Sequence, residues 1–213
     1  MVLGAIFDDE FGWTLLNTTV LRPFVREWIG YANSSLFVEN VNSLKLIPDM
    51  EGPVFAFAHF LPPHPPYLFD RDGNVRKGEY DVRDWKEKAL YVDQLVWVNK
   101  SMEAAISEIL EKARNRSVII LQSDHGSEYS GTFENPDQRF VWERSSNLFA
   151  IHLPEMCKGG SAYESITPVN TFRIVFNSCL GTNLPLLEDR TYWSTYERPY
   201  GFIPIEELTH RDR

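Results

Sequence analysis

The sequence predicts an α/β protein with a mixed, mostly parallel sheet and flanking helices. Three observations carry that expectation: a short apolar run over residues 53–60, a long amphipathic helix over 84–114, and a second apolar run over 117–123. A strand, a long helix and a further strand in that order suggest a right-handed parallel crossover.

Residues 1–50 are the least patterned. Leu15, Leu16, Val20 and Leu21, and the stretch 24–28, suit short helices, with Pro23 as a break or first-turn residue. The run 53–60 is apolar and closed by prolines, as expected of a strand buried on both faces. Residues 61–67 hold too much proline for regular structure, and 69–74 read as a turn. In the helix 84–114, Asp84 and Glu87 form a capping pair. Tyr91, Leu95, Val98, Met102, Ala105 and Ile109 make one apolar stripe, read as core packing. Asn115 suits a left-handed stop. The β-branched centre of 117–123 predicts a buried strand, and 147–153 a third. Thr167-Pro168 opens a helix to Leu180, closed by Gly181. The tail from Leu184, rich in proline, tyrosine and charge, reads as surface loop. With no repeat or linker in 213 residues, the chain is taken as one domain, 1–213.

Composition narrows the functional classes. At 43% hydrophobic and 14% aromatic the chain is not disordered. A net charge of -9 argues against a nucleic-acid partner, because phosphate backbones demand clustered Lys and Arg. It leaves small anionic substrates open, since a bound divalent metal can dominate the local field. Cys157 and Cys179 are too far apart for a CxxC motif; the favoured reading is two free, partly buried thiols, and a disulfide requires a fold that joins them. No apolar run reaches the ~18–20 residues that span a bilayer. Met1 to Phe7 is too short for a signal peptide and runs straight into Asp8-Asp9-Glu10, so the chain reads as soluble and as a piece of something longer. Sequons at Asn17, Asn33, Asn99 and Asn115 carry meaning only in a eukaryotic secreted protein.

The chemistry concentrates in Ser123-Asp124-His125-Gly126-Ser127-Glu128, at the carboxyl end of the 117–123 strand, where ligands gather in an open parallel sheet. A carboxylate beside an imidazole offers hard and borderline ligands to one cation such as zinc or manganese. Gly126 would let the backbone turn past it. The plain alternative makes Asp124 a turn cap and His125 a solvated loop residue. His59 and His64 form a second constellation at or just beyond the carboxyl end of the Val54–Ala58 strand, in a loop stiffened by proline. Either could bind an anionic oxygen or protonate a leaving group, or be an ordinary loop histidine. His152, inside an apolar strand, reads as a hydrogen-bonded core histidine, and His210 as inert.

Several blocks, in order, resemble one family. Phe57-Ala-His-Phe-Leu-Pro-Pro-His-Pro-Pro-Tyr67, Tyr91-Val-Asp-Gln-Leu95 with Asn99, and Ile120-Leu-Gln-Ser-Asp-His-Gly126 are similar to the sulfatase-like branch of the alkaline phosphatase superfamily. So are Thr167-Pro-Val-Asn-Thr-Phe-Arg173 and Leu184-Pro-Leu-Leu-Glu-Asp189. That branch includes lipoteichoic acid synthase and phosphoethanolamine transferases. The resemblance implies a partial alkaline phosphatase-like fold, with a lead-in over 1–50, a family-like core over 51–192 and a tail over 193–213. It implies a metal-dependent phosphate- or sulfate-ester hydrolase or transferase, with Asp124 and His125 as ligands of a divalent metal (Zn, Mn or Ca). His64 then contacts the anionic group or assists the leaving group, with His59 as second choice. It also implies an anionic ester substrate, an extracytoplasmic location and a parent that is membrane-anchored.

The departure from the family lies upstream. The nucleophile and remaining metal carboxylates of such enzymes precede the His-bearing strand, and only about fifty residues do so here. Asp8 and Asp9 with Thr14, Thr18 or Thr19 have no supporting context. The expectation is therefore a truncated domain lacking its nucleophile and inactive alone, within a parent that is an enzyme. The alternative is a degenerate, non-catalytic module that binds an anionic ligand or a partner protein, and a third reading is an unrelated α/β domain whose Asp-His-Gly is accidental.

Overall fold

A computed structural model describes residues 34–76, 86–157 and 162–209. The readings made for residues 1–33, for Asp84 and for His210 lie outside them. The chain divides into two compact units, Met1–Lys112 and Ala113–Arg213.

In the first unit, α1 (34–44) buries Phe37 and Val41, one turn apart. A 3-10 turn, Ile47–Asp49, follows, with proline in its first positions. The long helix α2, Lys88–Lys112, takes up most of the predicted span. Its buried positions are Gln94, Val98, Met102 and Ala105. The expected stripe is thus present, with an amide at its N-terminal end. Phe37, Val41, Leu68, Phe69, Val98, Met102 and Ala105 form the core, with Phe60 and Trp97 packed against it. Lys112 closes the far end, donating to the Lys45 carbonyl at 2.9 Å and pairing with Asp49 at 3.3 Å.

The predicted turn at 69–74 is present. Asp70 Oδ1 accepts from the backbone N–H of Asp72 and Asn74, both at 2.9 Å, and Phe69 bridges Val75 across it. Gly73 has φ +87°, and a Cβ there would stand 2.6 Å from the Trp97 ring, so glycine is required twice over.

The second unit opens with Arg114 and Asn115 at φ 51° and 55°, the left-handed stop expected at Asn115. Strand β1 (Ile119–Gln122) pairs with β2 (Phe149–His152), antiparallel, from Ile119↔His152 to Gln122↔Phe149. Between them lies a helix the sequence reading lacked, α3 (Gln138–Ser145), whose first turn is capped by Asp137 accepting from Phe140 N at 2.7 Å. Helix α4, Pro168–Leu180, begins after Thr167 and ends at Gly181 with φ 67°, as predicted. The tail from Leu184 is more ordered than a surface loop: β3 (Tyr192–Trp193) pairs antiparallel with β4 (Ile203–Pro204), followed by α5 (Ile205–Thr209). Trp193 is buried with Phe140 and Val141, and Phe133, Ile205 and Leu208 pack around them.

Three expectations need correction. Helices and strands are both present, but the sheets formed by the described residues are two-stranded and antiparallel, and the mostly parallel sheet is not among them. The run 53–60 has no ladder partner among the described residues, and Phe55 and Phe57 are 81% and 84% exposed. Apolar patterning tells that a segment suits burial; only a partner strand can provide it. The cysteines are joined, not free: Cys157 and Cys179 form a disulfide with Cα atoms 4.2 Å apart. Their 22-residue separation hides a loop that returns to the end of α4.

Candidate metal and substrate-binding residues

Strand β1 delivers Asp124 and His125 just past its end. Ser123 fixes that exit: its N–H donates to Leu148 O at 3.0 Å, its hydroxyl accepts from Leu148 N at 2.8 Å, and its carbonyl accepts from Asn147 Nδ2 at 3.1 Å. Asp124 Oδ1 then accepts from the His125 N–H at 2.9 Å, which turns the carboxylate toward its neighbour. Its other oxygen, Oδ2, lies 3.1 Å from His125 Nε2, and the carboxylate side chain is 79% exposed.

The tautomer follows from the third contact. His125 Nδ1 lies 2.9 Å from the Gly126 carbonyl, which can only accept, so Nδ1 carries the hydrogen. In the neutral ring Nε2 then holds a lone pair facing a carboxylate oxygen. Two acceptors at hydrogen-bond distance need a positive centre to hold them: a proton on the ring or a cation.

Their spacing suits a cation. Ligands about 2.0–2.1 Å from one zinc stand roughly 3.3 Å apart at a tetrahedral angle. Around an octahedral cation with bonds of about 2.1 Å they stand roughly 3.0 Å apart. The 3.1 Å between Oδ2 and Nε2 falls between these values. The pair therefore fits two corners of a coordination shell. Among the described residues no group of three or more His, Cys, Asp or Glu side chains could complete one.

The loop after His125 hangs on α3. Gly126 N donates to Arg144 O at 2.8 Å, and Arg144 Nη1 donates back to Gly126 O at 2.9 Å. A Cβ on Gly126 would lie 1.9 Å from Glu143 O, so the sharp passage expected of this glycine is a close approach to the helix backbone. Glu143 gathers the next residues: Oε1 accepts from Ser127 Oγ and, at 2.7 Å, from Tyr129 N, while Oε2 accepts from Ser130 N at 2.9 Å. Burial pushes the Glu143 carboxyl up, but the hydrogen bonds from Ser127, Ser130 and Tyr129 outweigh it and hold the pKa down to about 2.

His59 and His64 belong to the first unit, and both are exposed. His64 Nδ1 lies 2.6 Å from the Pro65 carbonyl, which by the same reasoning leaves Nε2 as the basic nitrogen. Its backbone N–H donates to Leu61 O at 2.8 Å and its carbonyl accepts from Gln94 Nε2 at 3.2 Å. The peptide bonds Pro62–Pro63 and Pro65–Pro66 are cis. His152 is the hydrogen-bonded histidine expected, with Nδ1 2.9 Å from Ser117 O.

Reading the sequence missed Gln94, Glu143, Arg144 and a network around Asp189. Asp189 accepts from the Tyr163 hydroxyl and, at 2.7 Å each, from Thr167 N and Thr167 Oγ1. The buried Asn170 amide bridges Leu187, accepting from its N–H at 2.9 Å and donating to its carbonyl at 2.8 Å. Gln94 left a trace as a polar residue inside an apolar stripe, and Thr167, Asn170, Leu187 and Asp189 lie inside the family-like blocks, whose bonding the sequence does not show.

Comparison with known proteins supports the sulfatase-like resemblance. No curated protein and no solved structure matches the chain. The family profile described as Sulfatase matches residues 6–172, most of the chain, including His59, His64, Asp124 and His125. A sulfatase domain implies a sulfate or phosphate ester as substrate and a divalent metal as helper. The chain belongs to the sulfatase family.

Proposed function

We propose that this chain provides part of the active site of a metal-dependent phosphate- or sulfate-ester hydrolase or transferase, with Asp124 and His125 as ligands of one divalent cation. The observation that carries the reading is the Oδ2–Nε2 separation of 3.1 Å with Nδ1 already committed to a carbonyl. A bound cation would lower the pKa of the attacking group and stabilise charge developing on the transferred group. Asp124 contributes a charge that favours the cation, and His125 a neutral nitrogen held in the ligating tautomer. Of zinc, manganese and calcium, zinc suits both donors of this pair, whereas manganese and calcium favour the carboxylate over the imidazole.

His64, with Nε2 as its basic nitrogen, is the group assigned to the ester's anionic oxygens or its leaving group, and His59 is the second choice. Catalytic zinc takes three protein ligands, so further donors and the nucleophile are to be sought outside the described residues. The lipoteichoic acid synthase and phosphoethanolamine transferase branch, and a site of action outside the cytoplasm, are part of the same reading. The Cys157–Cys179 disulfide supports that location, because such bonds persist in oxidising compartments.

The test is turnover of an aryl phosphate and an aryl sulfate by the full-length protein, with metal content measured alongside. Asp124→Ala and His125→Ala are each expected to remove both bound metal and metal-dependent turnover. Unchanged turnover in either variant overturns the assignment. A full-length protein free of metal and activity under all metals tried favours the non-catalytic, anion- or partner-binding alternative.

A further inference from the structure

The ligating geometry of His125 depends on one carbonyl, and that carbonyl is held by a side chain outside the Asp-His-Gly motif. Gly126 O accepts from two donors, His125 Nδ1 and Arg144 Nη1, both at 2.9 Å. Gly126 N–H donates to Arg144 O at 2.8 Å, so the two residues bond reciprocally. The guanidinium carbon lies 5.2 Å from the Phe133 ring centroid, a cation–π contact that limits where the fork can point. Phe133 in turn stacks on the buried Trp193, with ring centroids 5.4 Å apart. A chain of contacts thus runs from the core of the second unit to the imidazole.

We infer that Arg144 is a positioning residue for His125: by pinning the Gly126 carbonyl it selects the Nδ1–H tautomer and leaves Nε2 to bind the cation beside Asp124. The inference rests on the metal reading given above, but its central claim concerns the imidazole alone. An unpinned carbonyl can rotate away, and the ring then loses the acceptor that dictates its tautomer. Arginine suits the task because its planar fork can bond a carbonyl while its face lies on an aromatic ring.

Two readouts separate positioning from mere stability. The first is the tautomer of His125, read from its ring nitrogen-15 shifts in the full chain at a pH where the ring is neutral. The second is the affinity for zinc alone, by competition with a chromogenic chelator. The native chain is expected to show Nδ1–H. Arg144→Met is expected to show mixed tautomers and zinc binding weaker by about ten- to a hundredfold, the usual cost of losing a group that orients a ligand. Arg144→Lys, which retains a cationic donor, is expected to recover the Nδ1–H tautomer.

An Nε2–H ring in the native chain overturns the inference, as does an unchanged tautomer in folded Arg144→Met. If Arg144→Met does not fold, Phe133→Leu, which frees the guanidinium from the ring beneath it, decides, and an unchanged tautomer there overturns it. A native chain that binds no zinc yet shows the expected tautomer pattern overturns the metal reading and leaves the positioning role supported.

Discussion

Gln94 on α2 reaches back thirty residues to hold the loop that bears His64. Its Nε2 donates to the His64 carbonyl at 3.2 Å, and its Oε1 accepts from Leu68 N at 2.6 Å and Phe69 N at 3.2 Å. The amide is fully buried, so a polar residue in an apolar stripe is the means by which the helix grips a segment too rich in proline to hold itself by backbone ladders.

Gln94→Leu is therefore expected to destabilise the first unit by about 2–4 kcal/mol, since it strands two buried N–H groups at roughly 1–3 kcal/mol each. Denaturant titration measures the loss. Amide exchange should quicken at Leu68 and Phe69 before the amides of α2. Exchange that rises uniformly along the unit would contradict the local role given to Gln94.

Acid should loosen the second unit through Glu143. Its folded pKa is lowered from 4.5 to about 2, so it binds fewer protons folded than unfolded. The stability it contributes is fully present above its unfolded value and is lost as pH falls from about 4.5 towards 2. Asp189 acts in the same direction: burial raises its carboxyl, and the bonds from Tyr163, Thr167 and Asn170 together bring it below the ordinary aspartate range. Glu143→Gln should flatten the acid limb of the melting temperature against pH. An acid limb identical to that of the native chain would show that Glu143 is not responsible.

Reducing the disulfide should weaken the second unit. Cys157 and Cys179 are 22 residues apart, and closing a loop of that length contributes roughly 3 kcal/mol by restricting the unfolded chain. The Cys157→Ser, Cys179→Ser double variant is expected to match the reduced native chain in denaturant midpoint. A double variant as stable as the oxidised protein would rule out a stabilising bond.

The local elements were legible because each rests on short-range chemistry. Thr167-Pro168 and Gly181 bound α4 by proline's fixed φ and glycine's access to the left-handed region, and Asn115 stops the chain after α2 in the same way. The β-branched run that became β1 and the Asp-His pair at its end were visible for the same reason. The helix α3 was not, because its 8 residues include charges at Arg139, Glu143 and Arg144 and bury only Phe140 and Val141.

What the sequence determined alone is part of the inventory: α2, α4, β1 and β2 as segments, the stops at Asn115 and Gly181, and Asp124 and His125 leaving a strand together. What only tertiary structure decided is partnership. It set β2 antiparallel on β1, brought Cys157 to Cys179, placed Gln94 under the His64 loop, and put Arg144 and His125 on the same carbonyl. Propensities and caps act over a few residues, whereas these pairings join groups as far apart as Ile119 and His152, whose meeting depends on how the intervening chain packs.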